Sequence, residues 1–266
     1  MLKKLVASFA LLCTPHMLPA QSYDNLAKIE VLPGWRMADG SHMAGLRITL
    51  QPGWKTYWRA PGDAGIPPHF SFEGSNNIGT VVPHWPVPEV FDQDGQRTIG
   101  YHDSVVFPLK IAATNTDAPL HMTGQIDIGV CEEICIPVSL HFDTLLPPEG
   151  KRDAAIVAAL VNRPLTAGEA TLGPVTCTIA QIADGLQVTA SLALPETSMA
   201  GLVVIESGSP DVWVSEADIT RTNGRLQATV DMVHISSGPF ALDRSQLRMT
   251  LLGASQAIEL QGCQGN

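Results

Sequence analysis

Cysteine is the residue type in this sequence whose spacing most directly suggests chemistry. The chain has five, namely Cys13, Cys131, Cys135, Cys177 and Cys263. Three residues separate Cys131 from Cys135, whereas Cys177 and Cys263 are far apart. Neighbouring thiols can exchange with other disulfides or bind a soft metal, and distant ones more often form structural disulfides. The close pair is therefore the first candidate for a functional site.

The N-terminal segment predicts export, which decides how the cysteines are interpreted. Lys3 and Lys4 precede an apolar run at residues 5–12, and the small residue Ala20 offers a cleavage point. This is the pattern of a secretory signal peptide, and its removal takes Cys13 with it. The remaining four cysteines then meet an oxidising compartment, where they are expected to be disulfides, metal ligands or redox centres. The rest of the sequence contains no run of 18 apolar residues, so no membrane span is predicted there.

Composition and charge exclude several classes of function. The 266 residues carry a formal net charge of −10, which becomes −12 once Lys3 and Lys4 are removed. Such a chain repels phosphate backbones and anionic lipid surfaces, so we expect no binding to nucleic acid. The hydrophobic fraction of 45% supplies a buried core, while 23 glycines and 20 prolines favour β structure over long helices.

The first half of the chain alternates in short strand-like runs separated by turn-rich loops. The clearest runs are residues 44–50, 105–111, 125–130 and 136–142. Helical periodicity is essentially missing between them. The pattern predicts an antiparallel β-sandwich.

A turn-forming break at residues 147–150 ends this pattern, and Asp153 is placed to cap a short helix that runs to about Asn162. Strand-like runs then resume at residues 175–180, 186–192, 202–206, 211–214, 226–233, 247–252 and 257–260. About seven short strands in about a hundred residues predict a second sandwich of immunoglobulin-like size.

The predicted fold class is therefore all-β, with two immunoglobulin-like antiparallel β-sandwich domains joined by a short helical linker. Its expected divisions are a signal peptide at 1–20, a first sandwich at 21–146, a linker with the helix at 147–168 and a second sandwich at 169–266.

The close cysteine pair falls at the tip of a predicted hairpin. Apolar residues occupy even positions on both sides of it, at Ile126, Ile128, Val130, Ile136, Val138, Leu140 and Phe142. A three-residue loop between two such strands makes Cys131 and Cys135 cross-strand neighbours, with Cβ atoms about 4.5–5.5 Å apart. A disulfide needs about 3.5–4.5 Å, so only a modest local shift closes it. Such a bond closes a very small loop, so we expect an accessible, exchanging disulfide; the alternative is a plain hairpin staple.

The chain neighbours of this pair are acidic. Glu132 and Glu133 lie inside the loop, and no Lys, Arg or His occurs within five residues on either side. Nearby carboxylates disfavour a thiolate, so these neighbours predict raised pKa values for the two thiols. A pair of this kind suits a carrier of electrons better than a promiscuous reductant.

The distant pair has a different expected role. Cys177 and Cys263 lie near the two ends of the second predicted domain, so they can pair without reaching across a domain boundary. The loop of about 87 residues that this bond closes stabilises the fold by roughly 4–5 kcal/mol in the chain-entropy model. We expect a structural disulfide.

Several segments resemble the N-terminal periplasmic region of the DsbD-type disulfide reductases, and most closely the ScsB-type branch that is linked with copper tolerance. They read QPGWKTYWRAPGDAGIPP (51–68), VPHWPVPEVF (82–91), GYHDSVVFPLKI (100–111) and GVCEEICIPVSL (129–140). The likeness covers residues 25–146, and the second sandwich also fits the ScsB-type layout.

This resemblance implies a redox function without a cofactor. By position, Cys131 and Cys135 would be the catalytic pair, taking electrons from a membrane-embedded donor and passing them to periplasmic thioredoxin-like proteins. The family shields its disulfide with a mobile loop that bears an aromatic residue. Residues 91–100, before the matching Tyr101, would be that loop, and Phe91 the shield.

Two departures from the family's pattern accompany the resemblance. DsbD itself has five residues between its cysteines, where this chain has three. We also expect the membrane donor to be a separate protein of the CcdA type, because this sequence shows no membrane-spanning bundle.

Two other functions compete with the redox interpretation. Cys131, Cys135 and His141 offer two thiolates and an imidazole, which would suit Cu(I) in a copper-tolerance protein. Alternatively, the chain is a non-catalytic binding module stapled by its disulfides.

Four aromatic residues cluster in the first half, at Trp54, Tyr57, Trp58 and Trp85. We expect them to fill the core of the sandwich, with a partner-docking surface as the alternative.

Overall fold

The computed structural model describes residues 25–93, 95–116, 118–194, 201–254 and 256–265. The predicted signal peptide at 1–20 lies outside these residues. Strands dominate the described residues, in four sheets that form two sandwich-like units with one short helix between them. The predicted all-β fold class is confirmed.

Among the residues that the structure describes, ten strands build the first unit and ten build the second. In chain order the strands of the first unit are β1 (Ala27–Arg36), β2 (His42–Leu50), β3 (Lys55–Tyr57), β4 (His69–Ser71), β5 (Ile78–Pro83), β6 (Glu89–Gln93), β7 (Gln96–His102), β8 (Ser104–Ala113), β9 (Leu120–Cys131) and β10 (Cys135–Leu146). One sheet has the order β1-β2-β8-β5, and the other has the order β10-β9-β3-β7-β6 with β4 added on β9.

Alternating apolar residues explain how these two sheets face each other. Ile126, Ile128 and Val130 of β9 are at most 2% exposed, and they pack with core residues of the opposite sheet such as Ile48 and Phe107. The intervening residues of β9 point to the other face of the sheet, as the period of two requires. The sequence prediction that the even positions of this hairpin face the core is confirmed.

The helix α1 (Ala154–Val161) begins where the sequence predicts. The Asp153 carboxylate accepts hydrogen bonds from the backbone N–H groups of Ala155 at 2.8 Å and Ile156 at 3.2 Å. This is an N-cap, which satisfies two of the donors that a helix start leaves open. Ile156 is fully buried against Leu32 and Met43, so the helix is fixed to the first unit.

The strands of the second unit follow in the chain. They are β11 (Leu165–Thr166), β12 (Thr176–Gln181), β13 (Leu186–Ala193), β14 (Leu202–Glu206), β15 (Val212–Val214), β16 (Asp218–Thr222), β17 (Arg225–His234), β18 (Arg248–Leu252), β19 (Ala257–Gln261) and β20 (Gln264–Gly265). The sheets have the orders β11-β19-β18-β14 and β15-β17-β13-β12-β20, and β16 pairs with β17. The sequence reading missed β16, because Ile219 is the only apolar residue in that polar strand.

The two units share part of a core. Leu202, Leu252 and Ala257 of the second unit pack in one buried cluster with residues of the first unit that include Leu26 and Trp58. Beside this contact lies a cleft of about 1000 Å³, lined by residues of both units.

Where the structure describes the chain, α1 is the only α-helix, and no helix there has the length and apolar character needed to cross a bilayer.

Candidate functional site

The close cysteine pair lies at the tip of the hairpin formed by β9 and β10. The antiparallel register places Cys131 opposite Cys135, and the two residues are joined by a disulfide with a Cα–Cα distance of 4.2 Å. The same register continues from Val130 opposite Ile136 to Leu120 opposite Leu146. A long, regular ladder therefore holds the disulfide at its end, as the hairpin argument predicts.

The two sulfur-bearing residues differ sharply in exposure. Cys131 is 1% exposed, whereas Cys135 is an exposed residue and follows Ile134, which is 50% exposed. Attack on a disulfide requires access to one of its sulfurs. Of the two cysteines, Cys135 is therefore the one that an incoming protein can contact.

A tyrosine hydroxyl lies directly against both sulfurs. The Tyr57 hydroxyl donates to Cys131 Sγ at 2.9 Å and lies 3.2 Å from Cys135 Sγ. Burial raises the pKa of Tyr57, so the phenol stays protonated and remains a donor at neutral pH. When the disulfide opens, this hydroxyl is in place to donate to a thiolate.

The tyrosine reaches the sulfurs by crossing a glycine. Gly129 lies two residues before Cys131 on the same face of β9, and a Cβ added there would be 3.0 Å from the Tyr57 ring and 2.9 Å from Ile66. The missing side chain lets the aromatic ring approach the backbone of the sheet closely. A larger residue at this position would compete with the ring for space.

A buried lysine lies on the other side of Cys131. In the β3–β9 ladder Lys55 is directly opposite Cys131, and in the β3–β7 ladder it is opposite His102. Lys55 is 9% exposed; its Nζ donates to Thr98 Oγ1 at 3.2 Å and lies 5.0 Å from the centre of the Phe91 ring. Burial lowers the pKa of this ammonium group. The sequence prediction of raised pKa values for the Cys131 and Cys135 thiols rests on residues close in sequence. Lys55 is distant in sequence and was therefore missed.

The predicted shielding residues occupy two different environments. Residues 91–100 form most of the β6–β7 hairpin, apart from Asp94, which lies outside the described residues. Phe91 packs against Lys55 and meets His102 edge-on at 6.4 Å between ring centres. Tyr101 is 6% exposed and lies in the core, where its hydroxyl donates to the Pro86 carbonyl at 2.9 Å. The shielding role of these two residues stays a prediction.

The third ligand of the alternative copper site is not brought to the cysteines. His141 lies six residues beyond Cys135 on the same strand and pairs with Gln125. At about 3.3 Å per residue, six strand residues span roughly 20 Å. Among the described residues, no group of three or more His, Cys, Asp or Glu side chains is placed to hold a metal ion.

The distant pair forms the second disulfide. Cys177 of β12 is 2% exposed and is bonded to Cys263, with a Cα–Cα distance of 5.7 Å and a sequence separation of 86. Both residues pack with the core of the second unit. Neither of its residues is exposed, which distinguishes this bond from the one that includes the exposed Cys135.

The aromatic cluster is divided between core and site. Trp58 is fully buried, and the partly buried residues Trp54 and Trp85 pack against the same core. Tyr57 points to the opposite face and contacts the sulfurs. The sequence reading grouped Tyr57 with the core residues and missed its role. Strand alternation separates it from Trp58, but only the pairing of β3 with β9 shows what it touches.

Comparisons with known proteins agree with this geometry. Residues 28–147 match the family model described as "Thiol:disulfide interchange protein DsbD, N-terminal". A sequence comparison with curated proteins gives no significant match. The fold is similar to that of the N-terminal periplasmic domain of ScsB from Proteus mirabilis, with a TM-score of 0.65 and 24% identity over 91% of this chain and 95% of that one.

A second solved structure, InvD from Yersinia pseudotuberculosis, is 12% identical over 90% of this chain and 58% of that one, and its TM-score of 0.19 carries no weight. The family match spans the first pair of sheets and includes the hairpin that ends in the Cys131–Cys135 disulfide. Residues 28–147, which include nearly all of the first unit, are therefore similar to the DsbD N-terminal domain family.

Proposed function

We propose that the chain is a periplasmic thiol:disulfide oxidoreductase whose Cys131–Cys135 pair cycles between disulfide and dithiol. It accepts electrons from a membrane-embedded thiol donor of the CcdA or DsbD type and reduces thioredoxin-like proteins. One observation carries the proposal: the exposed Cys135 is bonded to a buried Cys131 whose sulfur already has a hydrogen-bond donor in Tyr57.

This asymmetry assigns the order of bond changes during reduction. A donor thiolate attacks Cys135 Sγ, a new sulfur–sulfur bond forms, and the Cys131–Cys135 bond breaks with its electron pair on Cys131. The second thiolate of the donor then attacks the donor's own sulfur in the mixed disulfide and releases Cys135. The donor becomes a disulfide, and this pair gains two electrons and, on protonation, two protons.

The passage of electrons onward is the same sequence in reverse. The Cys135 thiolate attacks the disulfide of a thioredoxin-like protein, and Cys131 resolves the mixed disulfide that results. Because Cys131 is buried and Cys135 is exposed, only Cys135 can make the first contact with a partner. Cys135 is therefore the residue that should appear in every mixed disulfide.

The remaining features support this assignment. The ScsB structure that shares this fold is a periplasmic domain, which supports a periplasmic location for this chain. The Cys177–Cys263 bond packs against the core of the second unit and closes a long loop, so we assign it to bracing the second sandwich.

Single-cysteine variants test the proposal. Cys131→Ala leaves Cys135 as a free exposed thiol, and Cys135→Ala leaves Cys131 as a free buried thiol. Each protein is mixed with a thioredoxin-like protein whose active-site thiol carries an aromatic disulfide leaving group, and release of that group is followed. We expect Cys131→Ala to form the mixed disulfide at least tenfold faster than Cys135→Ala. Equal rates, or no mixed disulfide with either variant, would overturn the proposed role.

A further inference from the structure

The surroundings of Cys131 contain one buried cation, supplied by a strand that is distant in sequence. Lys55 lies opposite Cys131 in the ladder, and directly opposed residues in an antiparallel pair have Cβ atoms about 4.5–5.5 Å apart on the same face. The ammonium group is held by the Thr98 hydroxyl and the Phe91 ring.

We propose that Lys55 is a positioning residue for electron transfer, which stabilises Cys131 as a thiolate and so makes it the better leaving group. The proposal rests on the redox function proposed above. It also opposes the prediction, made from the chain neighbours Glu132 and Glu133, that a thiolate is disfavoured at Cys131.

Two exposed carboxylates and one buried ammonium group lie near Cys131, and they act on a thiolate in opposite directions. Glu132 and Glu133 in the hairpin loop are exposed, so water and salt screen their repulsion of a thiolate. Lys55 is buried, and its attraction acts through a region of lower dielectric constant. The buried cation therefore dominates the exposed carboxylates.

The other titratable groups on the face of the sheet that carries Cys131 do little to oppose the attraction between Lys55 and a Cys131 thiolate. On β7, His102 lies beyond Lys55 and contacts Glu89 at 2.8 Å and Asp103 at 3.3 Å, so it is occupied by two carboxylates. Tyr57 is neutral and donates a hydrogen bond to the sulfur. Cys135 is exposed and becomes covalently bound to the partner at the moment when Cys131 leaves.

Burial of Lys55 also contributes to the step. Burial disfavours the charged ammonium, and a neighbouring thiolate relieves part of that cost. Opening of the disulfide thus creates an anion beside a cation that is already in place. The Phe91 ring covers the ammonium group. The hairpin of β6 and β7, which carries Phe91, thus shields Lys55 from water.

The test titrates the Cys131 thiol. In a Cys135→Ala background, with the Cys177–Cys263 bond left oxidised, thiolate absorbance is followed against pH for the parent protein and for Lys55→Met. We expect Lys55→Met to move the titration to higher pH, with roughly tenfold less thiolate at pH values below the midpoint. Lys55→Arg should titrate close to the parent. Lys110→Met, which removes an exposed lysine paired with Asp39 on the other sheet, should leave the titration unchanged.

Exchange kinetics in the protein with both cysteines give a second readout. The rate of reduction by a small dithiol should fall about threefold in Lys55→Met near neutral pH, because exchange rates follow a thiol's pKa with a coefficient of roughly one half. If Lys55→Met does not fold, Lys55→Gln provides the same loss of charge with a polar side chain.

Titration and exchange rates equal to those of the parent in a folded neutral variant would overturn the role of Lys55, while leaving the redox function intact. Failure of the parent protein itself to exchange would instead overturn the redox function.

Discussion

The Tyr57 hydroxyl contacts both sulfurs of the Cys131–Cys135 disulfide. Its contribution to thiol–disulfide exchange can be tested by removing the hydroxyl oxygen. Tyr57→Phe keeps the ring that lies over Gly129 and deletes the donor to Cys131. A hydrogen bond to a charged group contributes about 1.5–3 kcal/mol. We therefore expect thiol–disulfide exchange to slow by roughly tenfold or more, measured as the rate of reduction by a dithiol of fixed concentration.

Tyr101→Phe is the matched control for this prediction. It removes a buried hydroxyl from the same sheet, but one that donates to the Pro86 carbonyl and not to a sulfur. Its exchange rate should stay at the parent value. If both variants slowed equally, the effect would come from packing and the hydrogen bond to sulfur would have no role in the reaction.

At the scale of elements, the short strand β3 and the two residues after it connect every part of the site. Lys55 and Tyr57 point to the face that carries the disulfide, whereas Thr56 and Trp58 point into the core. Arg59 follows and reaches the second unit. The alternation of a strand thus places charge and hydroxyl beside the sulfurs while the intervening residues anchor them in the core.

Gly129 is the position in β9 where this arrangement is most easily disturbed. Gly129→Ala places a methyl group within 3.0 Å of both the Tyr57 ring and Ile66. Overpacking of this kind costs about 1–3 kcal/mol, and we expect it to move the hydroxyl away from the sulfurs. Urea unfolding should show the loss of stability, and dithiol reduction should show slower exchange.

The control is Gly168→Ala, where an added Cβ meets no atom within 4 Å. It should change neither property. A Gly129→Ala protein with parent stability and parent exchange would show that the close approach of Tyr57 does not matter.

The hairpin and the helix start could be predicted from the sequence because their signals are local. Even-position apolar residues on both sides of a three-residue loop fix the partner of Cys131, and Asp153 marks the start of α1. The position of Lys55 could not be predicted in this way. Lys55 and Cys131 are 76 positions apart in the sequence, and no residue near either of them indicates that their strands pair in this register.

For the whole molecule, the two disulfides are expected to differ in what they contribute to stability. In the chain-entropy model, the bond between Cys177 and Cys263, with a sequence separation of 86, contributes about 4–5 kcal/mol. The bond between Cys131 and Cys135, with a separation of 4, contributes about 2 kcal/mol. Paired Cys→Ala variants, unfolded in urea, should show a larger loss for the distant pair. Equal losses would favour a stapled binding module over an electron carrier.

A partly buried ion cluster connects the two units. The Arg59 guanidinium binds both carboxylate oxygens of Glu206 at 3.0–3.2 Å and Glu259 at 2.6 Å, and its side chain is 12% exposed. Loss of Arg59 removes the closest cation from both carboxylates and leaves Arg248, whose nitrogens lie 3.6 Å from Glu206 and 3.7 Å from Glu259, at a cost of about 1–3 kcal/mol for these partly buried groups. We expect Arg59→Met to lower the midpoint of thermal unfolding in calorimetry and to loosen the contact between the units.

Arg47→Met is the control, because Arg47 forms an exposed ion pair with Glu30 within the first unit. Exposed pairs contribute at most about 1 kcal/mol. A midpoint for Arg59→Met no lower than that of Arg47→Met would show that the cluster does not hold the units together.

The measurement that tests the central claim most directly is a redox titration of the whole protein. The metal-free chain is equilibrated in a graded series of thiol–disulfide buffers, free thiols are trapped, and the labelled cysteines are mapped by mass spectrometry. The account predicts that Cys131 and Cys135 gain label reversibly at a moderate potential, while Cys177 and Cys263 stay oxidised throughout. Equal resistance of both bonds to reduction would contradict it, because the chain could not then carry electrons.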